Sequence, residues 1–200
     1  LQAHQLEEIK QRQRDLYVDI DRRLLSLERN GTAGSGATLQ APVVDIQTGK
    51  PANEVVASRG GTAVAAAQKP LDTEAEQQAY QKAFDLLRDL RYDQAVTAFR
   101  DFIGKYPSGR YAHIAQYWVG EANYAQRKYE HAISDYQTLV DKYPNSPKLA
   151  EAMLKIGYSQ YELGKLNEAE ATLSRLAKAY PGTTEAGQAQ NLIQKIRLKR

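Results

Sequence analysis

The stretch Tyr117–Pro144, YWVGEANYAQRKYEHAISDYQTLVDKYP, occurs three times in the chain. Thirty-seven positions later stands Leu154–Pro181, LKIGYSQYELGKLNEAEATLSRLAKAYP, and 37 earlier stands Tyr80–Pro107, YQKAFDLLRDLRYDQAVTAFRDFIGKYP. Three columns hold the register: a small residue (Ala83, Gly120, Gly157), an alanine twelve places on (Ala95, Ala132, Ala169), and a closing Tyr-Pro pair (Tyr106-Pro107, Tyr143-Pro144, Tyr180-Pro181). Large residues fall between at matched places: Phe99, Tyr136 and Leu173, then Phe102, Leu139 and Leu176. A fixed period of this size marks a solenoid of stacked supersecondary units. Small residues belong where two antiparallel helices approach closely, and large ones fill the space beside them. Proline stops the second helix, because it lacks an N–H and clashes with the preceding turn. Each unit therefore reads as helix, tight turn (LRYDQA, RKYEHA, GKLNEA), helix and stop.

The small–Ala–Pro spacing is similar to the tetratricopeptide repeat, usually 34 residues long. The three extra residues fall in the loop after the proline: Ser108-Gly109, Asn145-Ser146-Pro147 and Gly182-Thr183. The tryptophan that the family carries early in its first helix is replaced by Ala79, Gln116 and Met153. Helix pairs are predicted at about 73–90 and 93–105, 110–126 and 129–142, and 147–163 and 166–179. A last helix runs from about Thr184 to Arg197. Its Gln188, Gln190, Asn191, Gln194 and Lys195 give it the polar outer face of a terminal capping helix.

Outward from the repeats, residues 1–29 read as one helix with a coiled-coil seam. Leu6, Ile9, Gln13, Leu16, Ile20, Arg23 and Leu27 alternate spacings of three and four. Gln13 and Arg23 interrupt the seam, and such polar residues set register and strand number at a cost in stability. The alternative is an amphipathic helix that docks on its own repeat domain. Asn30-Gly31 closes the helix, and residues 30–71 read as a disordered linker. GTAGSGAT, Pro42, Pro51, Pro70 and GGTAVAAAQ give nothing that could bury a core. A Gly-rich chain of about 40 residues spans on the order of 35 Å. The predicted fold is thus all-α: coiled-coil helix 1–29, flexible linker 30–71, and a repeat domain at 72–200 with three helix pairs and a capping helix.

The composition narrows the chemistry. Hydrophobic residues make up 42% of the chain and charged ones 26%, the balance of a water-soluble protein. The net charge of +3 divides as +1 over residues 1–71 and +2 over 72–200, so neither part is a basic tail for a nucleic-acid backbone. The chain has no cysteine, which excludes thiol catalysis, disulfides and Cys-type zinc sites. His4, His113 and His131 lie in three separate segments without ligand spacing. There is no nucleophile elbow and no phosphate-cradling loop. We expect neither enzyme nor cofactor, and no apolar run approaches the roughly 18–20 residues of a membrane helix. Leu1 is not an initiator methionine, and a processed or truncated product with its targeting segment removed is expected.

Tyrosine is over-used: 13 residues against 3 Phe and 1 Trp. Tyr92, Tyr106, Tyr129, Tyr136, Tyr143 and Tyr180 recur at fixed repeat positions and are assigned to the core or to seams between repeats. First helices line the concave face of tetratricopeptide arrays, and the period aligns Tyr80, Tyr117 and Leu154, then Phe84, Glu121 and Tyr158, then Leu87, Tyr124 and Tyr161. These columns are three or four apart and form one stripe. Tyr80, Phe84, Tyr117, Glu121, Tyr124, Tyr158 and Tyr161 are the candidate partner-binding residues, because tyrosine joins apolar area to a polar handle. The same columns would equally serve packing between helices, and Trp118 adjoins the stripe.

Coil, low-complexity linker and repeats closed by KYP or AYP together resemble the CpoB/YbgF family over the whole chain. The phrases YWVGEANYAQRKYEHAISDYQTLVDKYPNSPK and AYPGTTEA are the most specific part. The resemblance implies a periplasmic, non-enzymatic adaptor, homotrimeric through its coil, that binds TolA. It also implies work with a bifunctional penicillin-binding protein in coordinating peptidoglycan synthesis with outer-membrane constriction at division. A repeat adaptor of the outer-membrane β-barrel assembly machinery is the alternative, but it would need a lipidated N-terminal cysteine. A peptidoglycan-processing enzyme with a repeat module would need a catalytic domain, for which the chain leaves no room.

Overall fold

Each second helix of a repeat ends one residue before a Tyr-Pro pair, where another turn is forbidden. The computed structural model describes residues 2–31 and 73–199, and all eight elements among them are α-helices. They are α1 (Gln2–Gly31), α2 (Thr73–Arg88), α3 (Tyr92–Lys105), α4 (Ala112–Ala125), α5 (Tyr129–Lys142), α6 (Leu149–Glu162), α7 (Leu166–Ala179) and α8 (Thr184–Leu198). Most of the expected linker, at 32–71, lies outside the described residues. Helices α2 to α8 form the solenoid, each packing on the next, and α6 also touches α8. The fold is all-α, a long N-terminal helix and the repeat solenoid that the 37-residue period predicts.

The repeat columns explain the packing. A Cβ on Gly120 would lie 2.6 Å from Cε1 of Tyr136, and one on Gly157 would lie 2.5 Å from Cδ2 of Leu173. Only a residue without a side chain lets α4 and α6 approach the helices that follow them this closely. Phe99, Tyr136 and Leu173 are wholly buried, as are Ala95, Ala132 and Ala169. Each large side chain buried in this way contributes about 1.5–3 kcal/mol of transfer free energy. Tyr106 and Tyr136 lie in the core, while Tyr92, Tyr129, Tyr143 and Tyr180 are half-buried along its edges. On α8 the matched Ala189 is buried, and Gln188, Gln190, Asn191, Gln194 and Lys195 face outward.

The turns inside the repeats share one construction. Leu90, Arg127 and Gly164, each 37 apart, have φ of 62°, 58° and 74°. The following amide of Arg91, Lys128 or Lys165 donates back to the carbonyl of Leu86, Asn123 or Gln160, at 2.9 Å in every case. This is the Schellman motif, which satisfies the last carbonyls of a helix and requires a left-handed residue just past its end. Glycine meets that requirement without strain at one turn; a leucine and an arginine meet it at the other two.

A polar lock joins the first two repeats. Asp135 on α5 is buried and accepts from Asn123 Nδ2 at 2.7 Å and from Arg100 Nη2 at 3.0 Å. Its backbone carbonyl accepts from Gln116 Nε2 at 2.9 Å. A buried carboxylate is tolerable only when its oxygens are satisfied in this way, so the lock fixes the relative pose of α3, α4 and α5.

Candidate functional site

Stacking puts the first helices α2, α4 and α6 side by side, and their stripe residues meet on one face. Along it, carboxylates, tyrosines and lysines alternate. Glu121 accepts from the Tyr136 hydroxyl and pairs with Lys155 Nζ at 2.7 Å. Lys155 also lies over the Tyr124 ring, 4.8 Å from its centre. One column away, the Tyr117 hydroxyl donates to Glu151, which is paired with Lys148, and Lys148 lies 5.0 Å over the Tyr117 ring. Burial pushes the Tyr117 and Tyr136 hydroxyls well above the ordinary tyrosine range, with Glu121 adding to the effect. Tyr124, half-buried beside Tyr129 and Glu162, is pushed up to about 12 by the same causes. All three therefore remain protonated phenols at neutral pH.

At its C-terminal end this face is open. Tyr124, Tyr158 and Tyr161 are half-buried, each packing one side on the core and leaving the other to solvent, and Lys195 and Lys199 reach from the α8 end to lie 5.6 and 4.7 Å from the Tyr161 ring centre. The Lys199 ammonium bonds the Tyr161 hydroxyl and lowers its pKa. A hollow beside it is lined by Tyr158, Gln188, Asn191, Leu192 and Lys195. Cations held on aromatic faces with free edges suit a ligand that brings carboxylates and apolar surface together.

At its N-terminal end the face is covered. Tyr80, Phe84, Tyr117 and Glu121 are all buried, Glu121 with 7% exposure. Part of that cover is the packing of neighbouring repeats, and the rest is α1. Tyr17, 4% exposed, sets its ring edge-on against Trp118 with centres 5.9 Å apart, and its hydroxyl lies 3.4 Å from that of Tyr92. Asp21, 6% exposed, accepts from the Tyr80 hydroxyl, which in turn accepts from Trp118 Nε1 at 2.8 Å. Ile20 and Leu25 pack on the same aromatic cluster. A hollow between α1 and α6 continues the groove past Ile20 and Arg23 to Lys148, Glu151 and Lys155.

The seam residues divide around this contact. Leu16 is 55% exposed and Arg23 is exposed, while Gln13 and Ile20 are half-buried. The side chains of Leu6, Ile9 and Leu27 lie outside the described residues. The docked face, Gln13, Tyr17, Ile20, Asp21 and Leu25, is turned by about a quarter of a helical turn from the seam at 100° per residue. Spacing of apolar residues alone passes over Tyr17 and Asp21. Their i,i+4 placement on one face is the signal that the sequence does contain.

Fold and groove together define a tetratricopeptide-repeat protein whose N-terminal helix packs across its first helices. Comparison with known proteins agrees at both ends of the chain. Residues 83–147 and 151–183 match tetratricopeptide-repeat descriptions, and residues 1–34 match "TolA binding protein trimerisation". Among curated proteins, the cell division coordinator CpoB of Pseudomonas putida is 44% identical over 62 residues, covering 31% of this chain and 23% of that protein. CpoB of Escherichia coli is 34% identical over 122 residues, covering 60% of this chain and 42% of that protein. The chain is thus similar to CpoB proteins in its repeats and to TolA-binding trimerisation segments at its N-terminus, and its matches span less than half the length of these curated relatives. Among solved structures, the first tetratricopeptide domain of Spaghetti (RPAP3), bound to an HSP90 peptide, aligns with a TM-score of 0.52 at 21% identity, covering 64% of this chain and 94% of that one. The TPR2B domain of yeast Sti1, in complex with pHsp70, aligns with a TM-score of 0.52 at 16% identity, covering 64% and 99%. At these identities the likeness shows the fold.

Proposed function

We propose that the chain is a non-enzymatic periplasmic adaptor that binds TolA through its concave face and assembles as a homotrimer through α1. In this reading it links TolA, and a bifunctional penicillin-binding protein, to the coordination of peptidoglycan synthesis with outer-membrane constriction during division. The reading is supported by family matches at both the coil and the repeats. The observation that carries it is the open aromatic and cationic surface of Tyr124, Tyr158 and Tyr161 with Lys155, Lys195 and Lys199. Tyr80 and Phe84 continue the same face toward α1, and Tyr117 and Glu121, buried against Glu151, Tyr136 and Lys155, complete the proposed surface from within. No described helix is long and apolar enough to cross a membrane, so the chain would meet a membrane-anchored partner through that partner's periplasmic segment.

Calorimetric titration of TolA into the full chain tests the assignment. Tyr124→Ala and Tyr158→Ala should each weaken binding by about tenfold, the scale of one interface hot spot, with the melting temperature nearly unchanged. TolA affinity that survives both substitutions together would move the partner site off this face.

A further inference from the structure

We propose that the concave groove is built for a helix that presents a tyrosine and an aspartate one turn apart, that α1 is this helix in cis, and that its seating in the groove and its assembly into a coil exclude one another. The inference rests on the proposed function only in taking α1 as the coil-forming segment.

The seat is specific in its chemistry. A carboxylate placed among aromatic rings must find donors or it will not be tolerated. Asp21 finds the Tyr80 hydroxyl, whose oxygen is aligned by the indole N–H of Trp118. Tyr17 fills the space over the Trp118 ring, and Gln13 Nε2 donates to the Tyr17 hydroxyl at 3.2 Å. Three groove residues from three elements, Tyr80, Tyr92 and Trp118, thus receive one helical face, with Phe84 behind them. Phe84 joins by a ring contact to Trp118 at 5.6 Å. The roles are reciprocal, since without Asp21 the buried Tyr80 hydroxyl would lack an acceptor.

That face overlaps the coil. In the heptad that the seam defines, Leu6, Gln13, Ile20 and Leu27 are a positions, Ile9, Leu16 and Arg23 are d positions, and Tyr17 is an e position. A strand of a three-helix coil turns its a and d residues to the axis and its e and g residues to its neighbours. Gln13, Tyr17 and Ile20 cannot lie against the repeat core and against neighbouring helices at once. The docked helix leaves Leu16 more than half exposed, an apolar seam residue without cover. Self-association would cover Leu16, withdraw Tyr17 and Asp21, and uncover Tyr80 and Trp118. The N-terminal half of the groove is therefore closed in the docked monomer and open in the coil.

Trp118 is the only tryptophan in the chain and sits at this contact, so it reports the seat directly. The experiment follows acrylamide quenching and emission of Trp118 in the full chain, with sedimentation velocity on the same samples. Dilution of the wild type through its association range should protect Trp118 from quencher as the mass falls. At the dilute end, Tyr17→Ala and Asp21→Lys should red-shift the emission and raise quenching severalfold, with the repeat domain's cooperative melt retained. Gln13→Leu with Arg23→Leu, which mends the seam, should raise the mass and expose Trp118 at concentrations where the wild type protects it. Unchanged quenching in Tyr17→Ala and Asp21→Lys would overturn the seat. A self-associated Gln13→Leu/Arg23→Leu variant that keeps Trp118 protected would overturn the exclusion. Neither readout contains a partner, so failure to bind TolA overturns the proposed function and leaves this test standing.

Discussion

The two halves of the concave face are built from the same columns and end in different states. Around α2 and α4 the stripe is aromatic, dry and capped by α1. Around α6 and α8 it is half-exposed and cationic. The cause lies in substitutions within single columns. Where the first two repeats place Tyr80 and Tyr117, the third places Leu154; where they place Phe84 and Glu121, the third places Tyr158. A hydroxyl in the first position can hold a carboxylate brought by another helix, as Tyr80 holds Asp21. A leucine there cannot. Repetition sets the curvature of the surface, and departures from repetition decide what each part of it accepts.

The largest effect should separate the halves outright. Trp118→Ala removes a wholly buried indole that supports both α4 and α1, and it should cost about 3–5 kcal/mol by denaturant melting. Tyr161→Ala, at the half-buried open end, should cost less, about 1 kcal/mol. Equal costs would mean that the C-terminal half is packed more tightly than its exposure indicates. The next effect is confined to the covered half. Tyr80→Phe leaves the Asp21 carboxylate and the Trp118 N–H without their shared partner, an unsatisfied pair that should cost α1 docking about 1–3 kcal/mol. Hydrogen exchange over α1 should accelerate in this variant while exchange in α6 to α8 keeps its wild-type rate.

Acidity gives a smaller handle on the same contact. Burial, the largest influence, raises the Asp21 carboxyl above the ordinary aspartate value of 3.8, against the opposing pull of Tyr80 and Trp118. The docked state therefore holds this proton more tightly than the free helix does. Its contribution to docking is fully present below 3.8 and is lost as the pH rises through the raised value. Acidification should tighten α1 on the groove, read as growing protection of Trp118. Asp21→Asn should flatten that response, and a slope that persists in the variant would assign it to another group.

The repeat register was legible in the sequence because its columns are set by contact distance. Gly120 and Gly157 stand where any side chain would strike Tyr136 or Leu173, and such a constraint recurs with the period. The groove stripe was legible as a set of columns for the same reason. Which part of it lies open was not, because cover over Tyr80 and Trp118 comes from Asp21 and Tyr17, 59 or more residues away and outside the period. Apolar spacing finds the seam through Leu16 and Ile20. It gives no weight to an aspartate, whose burial becomes possible only once Tyr80 and Trp118 are brought to it. Helix capping was legible in part: Gly164 announces its turn, whereas Leu90 and Arg127 occupy the matching left-handed positions unannounced.

Those three turns supply the smallest test, and they set the closed half against the open one in their backbones. A non-glycine residue in the left-handed region is strained by roughly 1–2 kcal/mol, while glycine returns about 0.5–1 kcal/mol of that by freeing the unfolded chain. Leu90 packs on the core, so its replacement mixes strain with lost burial. Arg127 is exposed and makes the cleaner comparison. Arg127→Gly should stabilise the repeat domain, and Gly164→Ala destabilise it, each by about 0.5–1 kcal/mol. Opposite signs at two positions 37 residues apart would show that the covered half tolerates a strain from which the open half is free. A loss of stability in Arg127→Gly would instead mean that the arginine side chain holds its turn by contacts stronger than the strain it carries.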